Sequence, residues 1–258
     1  MLIDTHCHVD QFPSPETVVR ECELNRMRVI AVTNLPSHYA MAADRLRKHP
    51  LVTAALGLHP LSASRGLREL STFKRLAHVT DYIGEIGLDC SRHGKDTLGI
   101  QERVFEEILQ IIKDRPRFIT LHSRGAEKAV LDGLTRNGIR GAIFHWFTGP
   151  AQDLAAVLEA GHYVSINPAM LGSESGRLVI DSTPKNMVLV ESDAPLAKVN
   201  GRASSPNAVA LVYEALAKKW QLSLGETRET IRGNFTRITD QFNIPHGTPQ
   251  SRMGSKAK

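Results

Sequence analysis

Several absences narrow the classes of protein that this sequence can encode. The 258-residue chain has three scattered cysteines, Cys7, Cys22 and Cys90, and no CxxC pair, so neither a zinc ribbon nor a disulfide framework is expected. Aromatic residues make up 5% of the chain, fewer than a broad base-stacking surface usually carries. No GxGxxG motif follows the first apolar run, which disfavours a dinucleotide-binding fold.

Long apolar runs are also missing. No run approaches the roughly 18 residues of a membrane-spanning helix, and the opening MLIDTHCHVD lacks the basic and apolar segments of a secretory signal. We therefore expect no contact with a membrane and a location in the cytoplasm. The net charge of +5 suits an anionic partner, although a basic solvated surface explains it more simply.

Short apolar runs alternate with longer amphipathic stretches along the chain. Eight runs rich in Val, Ile or Leu predict strands that are covered on both faces; they occupy residues 2–3, 29–32, 52–58, 82–88, 118–121, 142–144, 163–166 and 187–190. The stretches between them predict helices, for example over residues 15–26 and 101–113. Eight strand–helix units in a chain of this length predict a (β/α)8 TIM barrel, with an open doubly wound sheet as the alternative.

The predicted barrel extends over most of the chain. We expect residues 1–243 to form one domain, because no composition shift or linker divides them. Residues 244–258 contain Pro, Gly, Ser and Lys without periodicity. That composition predicts a disordered basic tail.

Metal-binding side chains follow several of the predicted strands at their carboxyl ends. His6 and His8 are two residues apart, so on a strand both point to the same face. The other candidates are Glu85, His122, His145 and Asp193. Because the carboxyl ends of barrel strands meet at one mouth, four imidazoles and two carboxylates there can hold two divalent ions, Zn, Mg or Mn. Such a centre favours an anionic substrate and lowers the pKa of bound water towards roughly 7.

Two more side chains at this mouth are candidate substrate contacts. His59 ends the third predicted strand in the sequence GLHP, where a role in the core or as a helix cap is equally compatible. Arg124 lies beside His122 and can pair with a phosphate oxygen or form an ordinary surface ion pair.

Residues 4–10 (DTHCHVD) resemble the opening signature of the TatD family of metal-dependent hydrolases. Later segments look like further motifs of that family, in the same order: 84–89 (GEIGLD), 122–124 (HSR), 145–149 (HWFTG), 191–195 (ESDAP) and 233–237 (GNFTR). The resemblance extends over residues 2–240. It implies a (β/α)8 barrel and a DNase activity, commonly with exonuclease character on single-stranded DNA or its 3′ ends.

The resemblance also implies a division of the ligands. His6, His8, Glu85 and Asp193 would bind one ion, and Glu85, His122 and His145 the other. Asp193 and Glu85 are the expected catalytic residues, with Asp193 as acceptor of the proton of the attacking water.

The chain departs from the family pattern around the mouth and retains the complete ligand set. Trp146 stands where a cysteine is common, Cys90 replaces a common aromatic residue, and residues 204–207 (SSPN) lack a common acidic residue. Residues 12–15, 21–22, 145–147 and 167–171 are similar to the TatD-like component of Qat anti-phage defence systems. That similarity implies work alongside other proteins of a bacterial defence operon.

Two other functions remain as alternatives. A metallo-deacylase or amidohydrolase, acting on a small or nucleic-acid-linked substrate, would often carry a carbamylated lysine at a strand end, and Glu85 occupies the central position instead. A non-catalytic subunit of a defence complex would have no need of a complete ligand set, although a fold alone does not establish a function.

Overall fold

The computed structural model describes residues 1–241, so the predicted tail at 244–258 lies outside the described residues. The parallel strands are β1 (Ile3–Cys7), β2 (Arg28–Val32), β3 (Val52–Ala55), β4 (Tyr82–Gly87), β5 (Phe118–His122), β6 (Ile143–His145), β7 (Tyr163–Ile166) and β8 (Val188–Val190). The helices are α1 (Pro15–Leu24), α2 (Pro36–Leu46), α3 (Ala63–Ala77), α4 (Leu98–Ile112), α5 (Glu127–Arg136), α6 (Ala151–Glu159), α7 (Glu174–Ser182), α8 (Val209–Trp220) and α9 (Leu224–Gln241). A two-stranded hairpin, β9 (Lys198–Val199) and β10 (Arg202–Ala203), follows β8. Within residues 1–241, no helix is both long enough and apolar enough to cross a membrane.

The eight parallel strands close into a barrel. β1 to β3 form one hydrogen-bonded sheet and β4 to β8 form another. Between β3 and β4 the two sheets are joined by a parallel bridge from Leu56 to Ile83. Between β8 and β1 they are joined by the backbone N–H of Asp193, which donates to the carbonyl of His6 at 3.0 Å. The predicted barrel is therefore confirmed, and the alternative of an open doubly wound sheet is wrong.

The core has two layers, one on each side of the strands. The larger layer packs the outer faces of the strands against the surrounding helices. The smaller layer fills the amino-terminal end of the barrel, where strand residues such as Ile3, Tyr82 and Phe118 meet Phe235 and Ile238 of α9. Because α9 covers this end, the carboxyl ends of the strands remain available for a functional site.

An irregularity in β1 turns the first two histidines into the barrel. Ile3 faces the interior, and regular alternation from Ile3 would point His6 outward. The register against β2 shifts between Asp4 and Cys7, and Cys7 packs in the outer layer. The shift therefore reverses the facing of the strand, as bulges beside functional sites commonly do.

β4 contains a similar register shift. Tyr82 faces the interior, so regular alternation would point Glu85 outward. The register against β5 shifts between Ile83 and Ile86, and Ile86 belongs to the outer layer. Glu85 consequently faces the interior of the barrel.

Candidate metal centre

Glu85 is surrounded by imidazoles at the carboxyl end of the barrel. Its Oε1 atom lies 2.6 Å from Nδ1 of His122 and 3.1 Å from Nε2 of His145. Its Oε2 atom lies 3.4 Å from Nε2 of His8 and 3.5 Å from Nε2 of His6. Each carboxylate oxygen thus faces its own group of ring nitrogens, an arrangement that suits a carboxylate shared between two cations.

Asp193 completes the group around the first two histidines. Its Oδ1 atom lies 3.5 Å from Nε2 of His8 and 4.0 Å from Nε2 of His6. The Asp193 Oδ1 and His6 Nε2 atoms are buried and have no hydrogen-bond partner among residues 1–241. Buried polar atoms are nearly always paired, and two imidazoles with a carboxylate are a normal donor set for a divalent ion. The residues present therefore fit a metal ion.

Carboxylates orient two of the four imidazoles. Nε2 of His122 lies 2.8 Å from Oδ2 of Asp89, which leaves Nδ1 directed at Glu85. Nδ1 of His145 lies 3.3 Å from Oε1 of Glu191, which leaves Nε2 directed at Glu85. A carboxylate on the outer ring nitrogen sets the tautomer of a metal-binding histidine and increases its basicity.

Polar neutral side chains orient the other two imidazoles. Nδ1 of His6 lies 2.9 Å from the hydroxyl of Thr120, and Nδ1 of His8 lies 3.2 Å from the side-chain amide of Gln11. When the amide oxygen of Gln11 faces the ring, it accepts a hydrogen bond from Nδ1 of His8 and leaves Nε2 free. Sequence reasoning assigned no role to Thr120, Gln11 or Glu191. Alternation along β5 could have found Thr120, which is two residues before His122 and so shares its face.

His59 approaches the same cluster as a hydrogen-bond donor. Its Nε2 atom lies 3.5 Å from Oε2 of Glu85, and His59, Glu85 and His122 offer ligand atoms within 4.8 Å of one another. However, Nδ1 of His59 accepts a hydrogen bond from the backbone N–H of Leu61 at 3.1 Å, so in the neutral ring Nε2 carries the hydrogen. Burial lowers the pKa of His59 to about 4, which keeps the ring neutral. His59 is therefore suited to contacting a substrate oxygen and not to binding a metal.

Comparison with known proteins identifies the family. Residues 3–240 match the family model described as TatD related DNase. The chain belongs to the TatD family. Its fold and its class, a metal-dependent hydrolase acting on ester bonds, agree with the sequence prediction.

Individual relatives are named as metal-dependent hydrolases, deoxyribonucleases or TatD homologs. An uncharacterized metal-dependent hydrolase of Methanocaldococcus jannaschii is 25% identical over 92% of this chain and 96% of its own. The deoxyribonuclease Tat-D of Schizosaccharomyces pombe is 28% identical over 74% of this chain and 66% of its own. The crystal structure of YjjV, a TatD homolog from Escherichia coli, superposes with a TM-score of 0.81 at 25% identity and covers 95% of this chain and 98% of that chain.

Glu191 anchors the TatD motif at the end of β8 to the carboxyl ends of β6 and β7. It is fully buried and accepts hydrogen bonds from the backbone N–H of Trp146 at 3.0 Å, from the amide of Asn167 at 3.2 Å and from the hydroxyl of Ser165. Together with His145, these donors hold the carboxylate in one position.

The loop that contains Asp193 is also fixed by hydrogen bonds to Asp4 of β1. Asp193 has φ 44°, a left-handed conformation that non-glycine residues adopt where the surroundings enforce it. Oδ1 of Asp4 accepts a hydrogen bond from the backbone N–H of Ser192 at 2.9 Å, and its Oδ2 accepts one from the Ser192 hydroxyl at 2.5 Å. Asp4 on β1 thus fixes the residue immediately before Asp193.

The charges of the cluster favour a cation. Burial acts to raise the pKa of Glu85, but the surrounding imidazoles lower it well below its usual range. Burial lowers the pKa of His6 to about 4, so this ring is neutral and its Nε2 electron pair is free. Burial also acts to lower the pKa of His145, yet Glu191 and Glu85 raise it well above its usual value, because two carboxylates there attract positive charge.

A cavity of about 500 Å³ opens above the metal centre. The six predicted metal ligands all converge at its base, although His6 is covered by its neighbours. The two predicted substrate contacts, His59 and Arg124, line the same mouth. Trp146 and two exposed leucines, Leu61 and Leu196, form part of its rim.

Proposed function

We propose that this TatD-family hydrolase cleaves phosphodiester bonds of DNA with a water activated by two divalent metal ions. The observation that carries the proposal is that the two oxygens of Glu85 face separate groups of ring nitrogens: Oε1 faces His122 and His145, and Oε2 faces His6, His8 and His59. His6, His8, Asp193 and Glu85 would hold one ion, and Glu85, His122 and His145 the other. When bound, the ions lower the pKa of water and neutralise charge on the phosphate.

Asp193 is the proposed acceptor of the water proton. Its Oδ1 atom is buried and unpaired among the described residues, and it faces the same space as Nε2 of His8 at 3.5 Å. Where Oδ1 holds the ion, the second carboxylate oxygen, Oδ2, remains available to take a proton from the water. The left-handed backbone and the contact with Asp4 keep the oxygen directed at the site.

His59 and Arg124 are the proposed phosphate contacts. His59 presents a neutral N–H to the mouth because Leu61 occupies its other ring nitrogen. Arg124 is exposed at the rim and supplies a permanent charge with the fork geometry that phosphate oxygens match. The chain therefore offers both a fixed dipole and a positive charge to the phosphate.

Single-stranded DNA or a 3′ end of DNA is the proposed form of the substrate. The metal ligands lie at the base of a cavity, and Trp146 stands at the rim with Leu61 and Leu196. An unpaired base can stack on such side chains. A base-paired duplex presents its bases already stacked and would reach the metal ions less directly.

The test is cleavage of end-labelled single- and double-stranded oligonucleotides by the chelator-treated full chain with Mg²⁺, Mn²⁺ or Zn²⁺ added back. In Asp193→Asn the new residue can adopt the left-handed backbone conformation of Asp193. The substitution should lower cleavage by about 10²-fold or more, the usual effect of a lost general base. Asp114→Asn, at an exposed position remote from the mouth, is the matched control and should retain full activity.

Other outcomes would point to the alternative functions. Turnover of acyl or amide substrates with intact DNA would replace the proposal by a metallo-deacylase or amidohydrolase. Two bound ions without any turnover, together with co-elution of operon proteins, would indicate a non-catalytic subunit.

We further propose a role in anti-phage defence in the bacterial cytoplasm, together with other proteins of the operon. The support is the similarity of residues 12–15, 21–22, 145–147 and 167–171 to the TatD-like component of Qat systems. Plaque counts on cells carrying the complete operon should rise when the chain bears Asp193→Asn. Equal plaque counts with wild type and variant would contradict this role and leave the DNase proposal intact.

A further inference from the structure

A second cavity, of about 390 Å³, lies between α1 and α2 on the outer side of β2. We call it the side chamber. Val19 of α1 and Ala42 and Leu46 of α2 contribute apolar walls, and Ala31 and Val32 of β2 lie beneath them. Its size and mainly apolar lining fall within the range of small-molecule sites, which is about 300–1,000 Å³.

The side chamber adjoins the metal centre. Gln11 and Asn34 line both the side chamber and the mouth above the metal ligands. The amide of Gln11 lies 3.2 Å from Nδ1 of His8, so one side chain separates the chamber from a metal ligand. A strand with a phosphate at the metal centre can therefore place an adjoining group in the chamber.

Asn34 presents an unused hydrogen-bond acceptor at this junction. Its Oδ1 atom is buried and has no hydrogen-bond partner among residues 1–241, while its backbone carbonyl accepts a hydrogen bond from the N–H of His59 at 3.0 Å. Leaving a buried acceptor unpaired is costly. The chamber thus favours a ligand that is flat and apolar on its faces and carries an N–H on its edge.

Contacts between basic and acidic side chains beside the chamber disfavour a second phosphate. Basic side chains from the α2 side each meet a carboxylate from the α1 side: His38 with Asp10 at 3.7 Å, Arg45 with Glu16 at 3.7 Å and His49 with Glu23 at 3.0 Å. These basic groups already have anionic partners, so an added anion would have to displace a carboxylate. A neutral occupant meets no such competition.

We propose that the side chamber binds one nucleobase of the strand whose phosphate lies at the metal centre. A nucleobase has apolar faces for Val19 and Ala42 and an N–H donor on its Watson–Crick edge for Asn34. The inference rests on the proposed DNase function for its substrate class. It adds a place where the chain holds the nucleotide next to the scissile bond.

The experiment measures binding independently of cleavage. The trinucleotide d(TTT), and three versions of it that each lack one base, are titrated calorimetrically into the full chain with Ca²⁺ as the divalent ion, and the oligonucleotides are checked for integrity afterwards. Ala42→Trp fills the chamber. Ala40→Trp, on the exposed side of α2 and outside the lining, is the matched control.

We expect Ala42→Trp to weaken binding of d(TTT) by about tenfold, equivalent to about 1.4 kcal/mol, and Ala40→Trp to leave it unchanged. Removal of the base at one position should weaken binding to the wild-type chain by a similar factor and have no further effect on Ala42→Trp. Asn34→Leu, which removes the acceptor, should behave like Ala42→Trp and provides the test if the larger substitution does not fold.

The inference is overturned if Ala42→Trp and Asn34→Leu bind d(TTT) as the wild type does. It is also overturned if the three abasic versions bind equally well, or if d(TTT) does not bind at all. Hydrolysis of bis(4-nitrophenyl) phosphate, a phosphodiester without a base, separately tests the metal centre. If the wild-type chain does not hydrolyse this compound, the proposed function is rejected. The binding data still decide whether the chamber holds a base.

Discussion

Asp89 holds Nε2 of His122 at 2.8 Å, and the opposite ring nitrogen of His122 consequently faces Glu85 at 2.6 Å. Asp89 is itself fixed, because its Oδ1 accepts a hydrogen bond from the backbone N–H of Ser91 at 2.7 Å. Burial acts to raise the pKa of Asp89, but the hydrogen bonds from His122 and Ser91 lower it far below its usual range. The carboxylate is therefore ionised and selects the tautomer in which Nδ1 is free to bind a metal ion.

Asp89→Asn should weaken metal binding without unfolding the chain. If the amide oxygen keeps the contact with Ser91, the amide N–H₂ faces His122 and favours the tautomer with hydrogen on Nδ1. Loss of a carboxylate behind a ligand typically lowers metal affinity about 10–100-fold. Competition with a chelator measures the affinity, and Asp96→Asn, at an exposed position nearby, is the control. Equal affinities in both variants would show that Asp89 does not orient His122.

Glu85→Gln should abolish simultaneous binding of two ions. The neutral amide has one oxygen acceptor, so its N–H₂ group must face one of the two groups of ring nitrogens around Glu85. Elemental analysis should find fewer ions per chain than in the wild type, with one or none retained. Glu107→Gln, on the exposed side of α4, should retain the wild-type content. An unchanged metal content in Glu85→Gln would reject the bridging role.

Arg124→Gln should weaken binding of single-stranded DNA and reduce its dependence on salt. Each phosphate contact releases condensed counterions, and removal of one should lower the slope of log affinity against log salt by about 1. Anisotropy titrations of an oligonucleotide at several salt concentrations give this slope. Arg103→Gln, exposed on α4, serves as the control. An unaltered slope in Arg124→Gln would mean that the guanidinium does not touch a phosphate.

His162 should make the stability of the metal-free chain depend on pH. It is buried, its Nδ1 accepts a hydrogen bond from the backbone N–H of Ala142 at 3.2 Å, and burial lowers its pKa to about 4. In the unfolded chain a histidine titrates near 6.5. The stabilising contribution is therefore fully present above pH 6.5 and is lost as the pH falls to about 4, by about 3 kcal/mol in total.

Urea unfolding in the presence of a chelator, at several pH values between 7 and 4, measures this effect. His162→Gln keeps an acceptor for Ala142 but cannot titrate, so the difference in unfolding free energy between wild type and variant should shrink or reverse as the pH falls. Parallel curves for the two proteins would show that His162 is not the group responsible.

Much of the site could be predicted because its signals are local. His6 and His8 are two residues apart, Glu85 lies in the second half of β4, and His122, His145 and Asp193 each stand at or just after the end of a short apolar run. In a parallel barrel those ends meet at one mouth. The fold, the family and the proposed ligand set all followed from that pattern.

The residues that orient the ligands were harder to recognise. Thr120, Gln11 and Glu191 are ordinary polar residues whose partners come from other elements or from across a turn. No spacing in the sequence specifies which ring nitrogen each would meet. The tautomer of His59 likewise depends on one backbone hydrogen bond from Leu61.

Composition, apolar periodicity and motif order by themselves determined the barrel, the six candidate ligand positions and the family, because these depend on short-range patterns repeated along the chain. The tertiary structure decided how the ligands face one another. The register shifts in β1 and β4 reverse the alternation and turn His6 and Glu85 inward. The separation of α1 from α2 leaves the side chamber beside the metal centre. Both features arise from pairing and packing between segments that are distant in sequence, and local propensity carries no information about such contacts.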